Sequence, residues 1–200
     1  MRGLLSNPNN ELALNFVPLR TLAAFANGGE SWDARAAYLE AMKEWRPRFE
    51  TIGSPITLAD LVLLGDCFYL PHTEGPEAEA MVQRAHDLMG RSPAGWRDAA
   101  GQFLEASGRL RACCARTTEL RQRPLFHALR RRVWELREEL ERLETYVRHQ
   151  AGLERTGAAG SLQLPPAMRD GMIARLQRLW ARQPDGTIAA ARLSGGGTVL

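Results

Sequence analysis

The sequence predicts an all-α fold, an antiparallel helical bundle of the up-and-down kind, and three observations carry that prediction. Apolar residues recur at spacings of three and four through six successive segments. Glycine and proline signals at Gly28-Gly29, Pro71, Gly75-Pro76, Gly90 and Pro124 mark the breaks between them. No stretch alternates apolar and polar residues as a half-buried strand would, apart from a Leu4-Leu5 stub.

The first helix follows the turn residues Asn7-Pro8-Asn9-Asn10, with Asn10 as N-cap and Glu11 in the first turn. Leu12, Phe16, Leu19, Leu22 and Phe25 form its expected inward stripe. Ser31 to Glu50 reads as a second helix with Trp32, Ala36, Leu39, Met42 and Phe49 inward. Pro47 should kink or end it, having no N–H for the ladder. A third helix opens at Thr57, where Asp60 three residues on makes a variant capping box, and runs to about Tyr69, where Pro71 stops it. Pro76 is suited to the first position of a fourth helix, carrying Ala80, Met81 or Val82, Ala85 and Leu88. A fifth spans about Gly95 to Leu120 with Trp96, Phe103, Leu110 and Cys114 on one stripe.

The sixth helix starts near Pro124 and is the most regular. Phe126, Leu129, Val133, Leu136, Leu140, Leu143 and Val147 make about three unbroken heptads. Opposite charges flank this seam at Arg131 and Glu135, Arg137 and Glu141, and Glu138 and Arg142. Such pairs stabilise by about 0.2–0.5 kcal/mol each, whereas each buried Leu or Val contributes roughly 1.5–3 kcal/mol, so the seam decides where the helix packs. Beyond Gly152, a small-residue stretch from Thr156 to Ser161 and then Pro165-Pro166 precede a short last helix through Trp180 and a glycine-rich tail. The domain reading is residues 1–50, residues 51–152 as the main helical bundle, and residues 153–200 as linker, short helix and tail.

The 200 residues, 44% hydrophobic, suffice to bury a core and exclude a disordered chain. Basic and acidic residues, 26 and 23, are interspersed, so the net charge of +3 points to no nucleic-acid partner. Arg130-Arg131-Arg132 is followed at once by acids, which weakens a phosphate-binding reading. Cys67, Cys113 and Cys114 have no metal-ligand spacing, and the adjacent pair cannot bridge on a helix. Buried reduced thiols, and with them a cytoplasmic location, are expected. Nothing resembles a signal peptide or the roughly 20 apolar residues of a membrane span.

Catalytic and metal motifs are missing. His72, His86, His127 and His149 share no spacing, and no zinc, serine-hydrolase or phosphate-loop signature occurs, so no metal and no cofactor is expected. Glu138, Glu139 and Glu141 read as a charged face, and Asp60 and Asp66, six apart, point different ways on a helix. Trp96 and Trp134 read either as core or as anchors lining a groove where an extended partner docks. On the residues alone, this is a helical interaction domain.

One segment says more. Pro55 to Met81, PITLADLVLLGDCFYLPHTEGPEAEAM, resembles the start of the helical stalk of O-GlcNAcases, the β-N-acetylglucosaminidases of glycoside hydrolase family 84. Gly95-Trp96-Arg97 with Phe103, and Val133-Trp134-Glu135-Leu136, are similar to later stalk segments in the same order. Upstream, Leu4 to Glu11 and Asn15 to Leu22 resemble the last loop and helix of that family's catalytic (β/α)8 barrel.

The resemblance, over roughly residues 3 to 150, implies a stalk-like bundle preceded by a terminal remnant of the barrel. It implies a parent enzyme that removes N-acetylglucosamine from glycoproteins or glycans by retaining, substrate-assisted hydrolysis, outside the two-carboxylate pattern of most glycosidases. The adjacent aspartates of that chemistry have no counterpart here. The chain is thus expected to be a bacterial-looking C-terminal portion, inactive alone, that forms a homodimer and helps build the substrate groove. Asn7 matches the position that holds sugar hydroxyls, and Trp96 and Trp134 match aromatic positions beside the peptide cleft. Arg132 stands where the family can have Tyr, which would favour acidic or phosphorylated segments. The rival expectation is a free-standing adaptor without enzymatic activity, whose seam from Phe126 to Val147 pairs with a different protein. A weaker one is nucleic-acid binding through Arg130 to Arg132, which requires steep salt dependence.

Overall fold

The computed structural model describes residues 10–28, 31–70, 73–89, 96–151, 171–177, 180–182 and 188–190. The Leu4-Leu5 stub, Asn7, Pro71, His72, Gly90, the linker from Thr156 to Pro166 and the glycine tail lie outside them. Among the described residues there are seven α-helices: α1 (Phe16–Gly28), α2 (Ala34–Trp45), α3 (Leu58–Asp66), α4 (Pro76–Met89), α5 (Trp96–Arg116), α6 (Arg123–Gln150) and α7 (Gly171–Gln177). The helical prediction holds up to α7. Trp180 is not the end of the last helix. It opens a two-stranded antiparallel ribbon, β1 (Trp180–Arg182) with β2 (Ile188–Ala190), too short to show a period-two pattern in the sequence.

Two compact units can be described. The first comprises Met1–Val62 and Cys113–Val133. Within it, a 3-10 turn at Leu12–Leu14 leads into α1, and Asn15, not Asn10, precedes the helix, its carbonyl accepting the Leu19 amide at 3.0 Å. The expected inward stripe of α1 is largely on the surface. Leu12 is 83% exposed and Leu19 and Phe25 are exposed as well, and Val17 is the buried residue of the helix. On α2, Asp33 caps the helix by accepting the Ala36 amide at 2.6 Å. Its buried face is Tyr38, Ala41, Met42 and Trp45; Met42 and, beyond the helix, Phe49 are buried as expected, whereas Ala36 and Leu39 are exposed. The large aromatic at Trp45 sets this rotation: it stacks on Phe16 at 6.4 Å and meets Phe49 edge-on at 4.7 Å, joining α1 and α2. Pro47 acts as expected, converting the chain to a 3-10 turn over Arg46–Phe49.

From there Thr51 bridges to Leu120, with the Ile52 amide on the Glu119 carbonyl at 3.0 Å and the Arg121 amide on the Glu50 carbonyl at 2.9 Å. The capping box at α3 is as expected. Asp60 Oδ2 accepts from the Thr57 amide at 3.2 Å, and the Thr57 hydroxyl accepts from the Asp60 amide at 3.1 Å.

The second unit comprises Leu63–Ala112 and Trp134–Leu200. Its first feature is the joint between α3 and α4. The helix ends at Asp66, three residues earlier than Pro71 alone would require. Cys67 and Phe68 tighten the last turn through i to i+3 bonds to Leu64 and Gly65 at 3.3 and 2.9 Å. The reason is Asp66 itself. Its carbonyl accepts the Gly75 amide at 2.8 Å and its carboxylate Oδ2 accepts the Glu77 amide at 3.1 Å, so one residue ends α3 and caps α4. Phe68 and Leu70, past the end of α3, are exposed at 43% and 56%.

On α4 the buried positions are Ala78, Met81, Val82, Ala85, Leu88 and Met89; Ala80 faces outward. Trp96, Phe103, Leu110 and Cys114 are all buried along α5, as the spacing predicts. On α6, Val133, Leu136, Leu140, Leu143 and Val147 are buried, the last four completely. At the N-terminal end Phe126 and Leu129 are half-buried and Leu125 goes inward instead. That is the drift of an unsupercoiled helix at 3.6 residues per turn against a strict repeat of 3.5.

Candidate functional site

The face of α6 around Trp134 is the strongest candidate for contact with a partner. The seam residues on one side of the helix fix its rotation, which leaves Trp134 59% exposed. Its indole Nε1–H donates to Glu138 one turn on at 2.5 Å. Glu138 also receives Arg142 Nη2 at 3.4 Å, and Arg142 Nη1 reaches Glu139 at 3.3 Å. The chain of contacts holds the indole by its polar edge and offers its ring to solvent. A wide apolar face with a satisfied N–H and a charged rim is chemistry for anchoring a partner surface, since covering a Trp removes some 150–250 Å² from water.

Of the other sequence-predicted residues, neither Trp96 nor Arg132 joins it. Trp96 is 1% exposed and meets Tyr146 edge-on at 6.0 Å, so it is core, the first of the two readings given for it. Arg132 is exposed, but two positions from Trp134 means about 200° around the helix, so the two side chains do not share a face. Asn7 lies outside the described residues. From Val133 to Val147 the seam of α6 is buried, so that part is not open to a separate protein as the adaptor expectation needs, while Phe126 and Leu129 are half-buried.

The carboxylates are committed to structure. Asp60, 7% exposed, closes its capping box and pairs with Arg116 at 2.8 Å; Asp66 is wholly buried as the cap of α4. Glu139, read as part of a charged face, is 2% exposed, while Glu138 and Glu141 are on the surface. The reason is that α6 buries more than a two-residue heptad seam.

Sequence reasoning also missed Glu144, which is buried and accepts from the Ser107 hydroxyl at 2.6 Å, with Arg111 Nε at 3.2 Å. Ser107 sits on the Phe103–Leu110 stripe of α5, and a polar residue on that stripe was the available signal. Glu74 was missed too. It is 8% exposed and paired with Arg175, which lies about a hundred residues away in the chain and gave no local cue. Cys67, Cys113 and Cys114 are buried thiols, as expected. Among the described residues no group of three His, Cys, Asp or Glu gathers to hold a metal, and no helix is long and apolar enough to cross a membrane.

No protein-family profile matches the chain. Curated proteins that do match include two described as protein O-GlcNAcase, one from Rattus norvegicus and one from Mus musculus. Each is 26% identical over an alignment 141 residues long that covers 62% of this chain. The chain spans about 15% of the length of either relative. This helical chain is therefore similar, at a distance, to a limited region of protein O-GlcNAcase.

Proposed function

We propose that the chain is the stalk-type helical part of an O-GlcNAcase-like β-N-acetylglucosaminidase. In this reading it pairs two copies and shapes the groove where an N-acetylglucosamine-bearing protein segment lies. The cleavage belongs to a barrel of the whole enzyme. The observation that carries this is the likeness to protein O-GlcNAcase over most of a chain whose described residues in the stretch resembling a stalk are mainly helical. Two features support it. Trp134 stands on the surface with its N–H satisfied, ready to be covered. The apolar stripe of α1 and α2, at Leu12, Leu19, Phe25 and Leu39, is exposed, as helices resting against further barrel strands would be. Arg132, on a different side of α6, would meet an acidic stretch of the bound segment.

Sedimentation of the purified chain tests the pairing, and an aryl N-acetylglucosaminide tests the chemistry. The expected results are a dimer that Trp134→Ala weakens at least tenfold, and no turnover. A monomer at every concentration would remove the pairing role. Hydrolysis abolished by replacing one of the chain's own carboxylates would remove the division of labour.

A further inference from the structure

The first turns of α6 carry charge for which folding gives no reason. Between Leu120 and Val133 the sequence holds five arginines, one histidine and no acid, and all six basic side chains are exposed. Arg121, ahead of the helix, pairs with Glu50 at 3.0 Å. Along α6 itself Arg123, His127 and Arg130 lie within about 60° of arc, separated by about 6 and then about 4.5 Å of rise, with Arg131 on their flank. Half-buried Phe126 supports this row from below. The Arg123 guanidinium lies over its ring at 4.3 Å, and the ring of His127 meets it at 5.1 Å. Arg123 Nη1 also donates to the Thr118 carbonyl at 3.3 Å, which leaves most of its N–H donors for a ligand. The placement opposes the helix's own electrostatics: its first turn contains no acid, and cations at the positive end of a helix, or a turn apart on one face, are unfavourable. The acids farther along α6 are met by other arginines, Glu138 and Glu139 by Arg142 and Glu141 by Arg111.

We propose that the row Arg123–His127–Arg130 docks an extended acidic peptide segment that carries carboxylates on alternate residues. Alternate side chains of a strand leave one face about 6.6 Å apart, close to the one-turn spacing of the row, so successive carboxylates can each meet a cation. A guanidinium also binds a carboxylate through two parallel bonds, which fixes orientation as well as charge. The phenyl ring in the row is covered by Arg123 rather than open to a stacked base, which favours a peptide over a single-stranded nucleic acid. Arg132 stands on the far side of α6 and is not part of the row. The docking depends neither on paired copies nor on cleavage.

Fluorescence anisotropy of the full chain with a labelled peptide of alternating Glu and Ser decides it, at low ionic strength where surface charge is least screened. Arg123→Ala/Arg130→Ala should weaken binding at least tenfold. Arg84→Ala/Arg97→Ala, which removes the same charge from exposed positions on α4 and α5, should weaken it less than twofold. Arg130→Ala alone, which leaves the contacts of Arg123 in place, should weaken it at least threefold. A peptide of the same composition with its glutamates in one block should bind at least threefold more weakly than the alternating one. Absence of binding overturns the proposal, and so does an equal loss in the two double variants, because net charge alone would then attract the peptide. Equal affinity for the two peptides overturns the match of spacings on which the docking rests. Tighter binding of a single-stranded oligonucleotide with the same number of charges likewise overturns it, since the row would then serve nucleic acid.

Discussion

Replacing Gly75 by alanine tests the joint between α3 and α4 directly. An ideal Cβ on Gly75 would collide with the Asp66 side chain, approaching its Cβ to 2.7 Å and its carboxyl group closer still. No rotation of a buried Asp66 relieves this without breaking its bond to the Glu77 amide. Overpacking of this kind costs about 1–3 kcal/mol, and losing a side-chain N-cap costs about 0.5–2 kcal/mol. Gly75→Ala should therefore cost about 2–3 kcal/mol, a fall in Tm of roughly 4–12 °C at the 2–4 °C per kcal/mol expected for this chain length. Asp66→Gly removes the cap and with it the whole obstacle, the Cβ included. In that background Gly75→Ala should cost under about 0.5 kcal/mol, so the double-mutant cycle should return a coupling above about 1 kcal/mol. Urea unfolding of the four proteins, followed by far-UV circular dichroism, measures each corner. Additive losses would refute the reasoning, because they would mean that Gly75 is needed for something other than room beside Asp66.

Three further outcomes follow from the packing and the charges. Leu140→Ala, at a wholly buried seam position, should cost about 2–5 kcal/mol, whereas half-buried Leu129→Ala should cost clearly less; chemical denaturation compares them. Gly101→Ala and Gly108→Ala fill open space inside α5 and should each raise stability by about 0.5–1 kcal/mol in the same assay. The hydrogen bond from Arg175 holds the Glu79 carboxyl below its ordinary range, against the opposing effect of burial, with the charges of Arg175 and of His86 along α4 assisting. A depressed folded-state value means that the contribution is present above the ordinary glutamate range and disappears as pH falls through the depressed one. The stability gap between wild type and Glu79→Gln should therefore be open at neutral pH and close on acidification; a gap constant with pH would contradict it.

What the sequence revealed depends on whether a signal was local. The capping box at Thr57, the 3-10 conversion at Pro47 and the buried stripe of α5 were all legible, because each is decided within a few residues of backbone. The rotation of α2 was not, because it answers to where Trp45 finds Phe16 and Phe49. The early end of α3 illustrates the same limit. Pro71 announces a stop, but Asp66 ends the helix sooner, its carboxylate being engaged at the amides of the next one. Spacing cannot show that an acid eleven positions before an amide will cap it.

The functional reading has the same structure. Trp96 and Trp134 are indistinguishable as letters, each a tryptophan near an apolar stripe, and burial separates them completely. Trp134 follows Val133 of the seam by one position, which is about 100° around α6 and carries its ring out of the packed side. The periodicity that hides the leucines therefore also exposes the indole. If Trp134 anchors a partner, a one-residue insertion between Trp134 and Leu136 should abolish pairing, because the buried seam from Leu136 onward holds the rest of α6 and turns the indole by about 100°. A three- or four-residue insertion should harm pairing less, since it nearly restores the angular phase. Sedimentation of the two insertions distinguishes an anchor fixed by helix phase from one that a flexible surface could supply. Equal loss of pairing in both would show that the phase of α6 does not place the site.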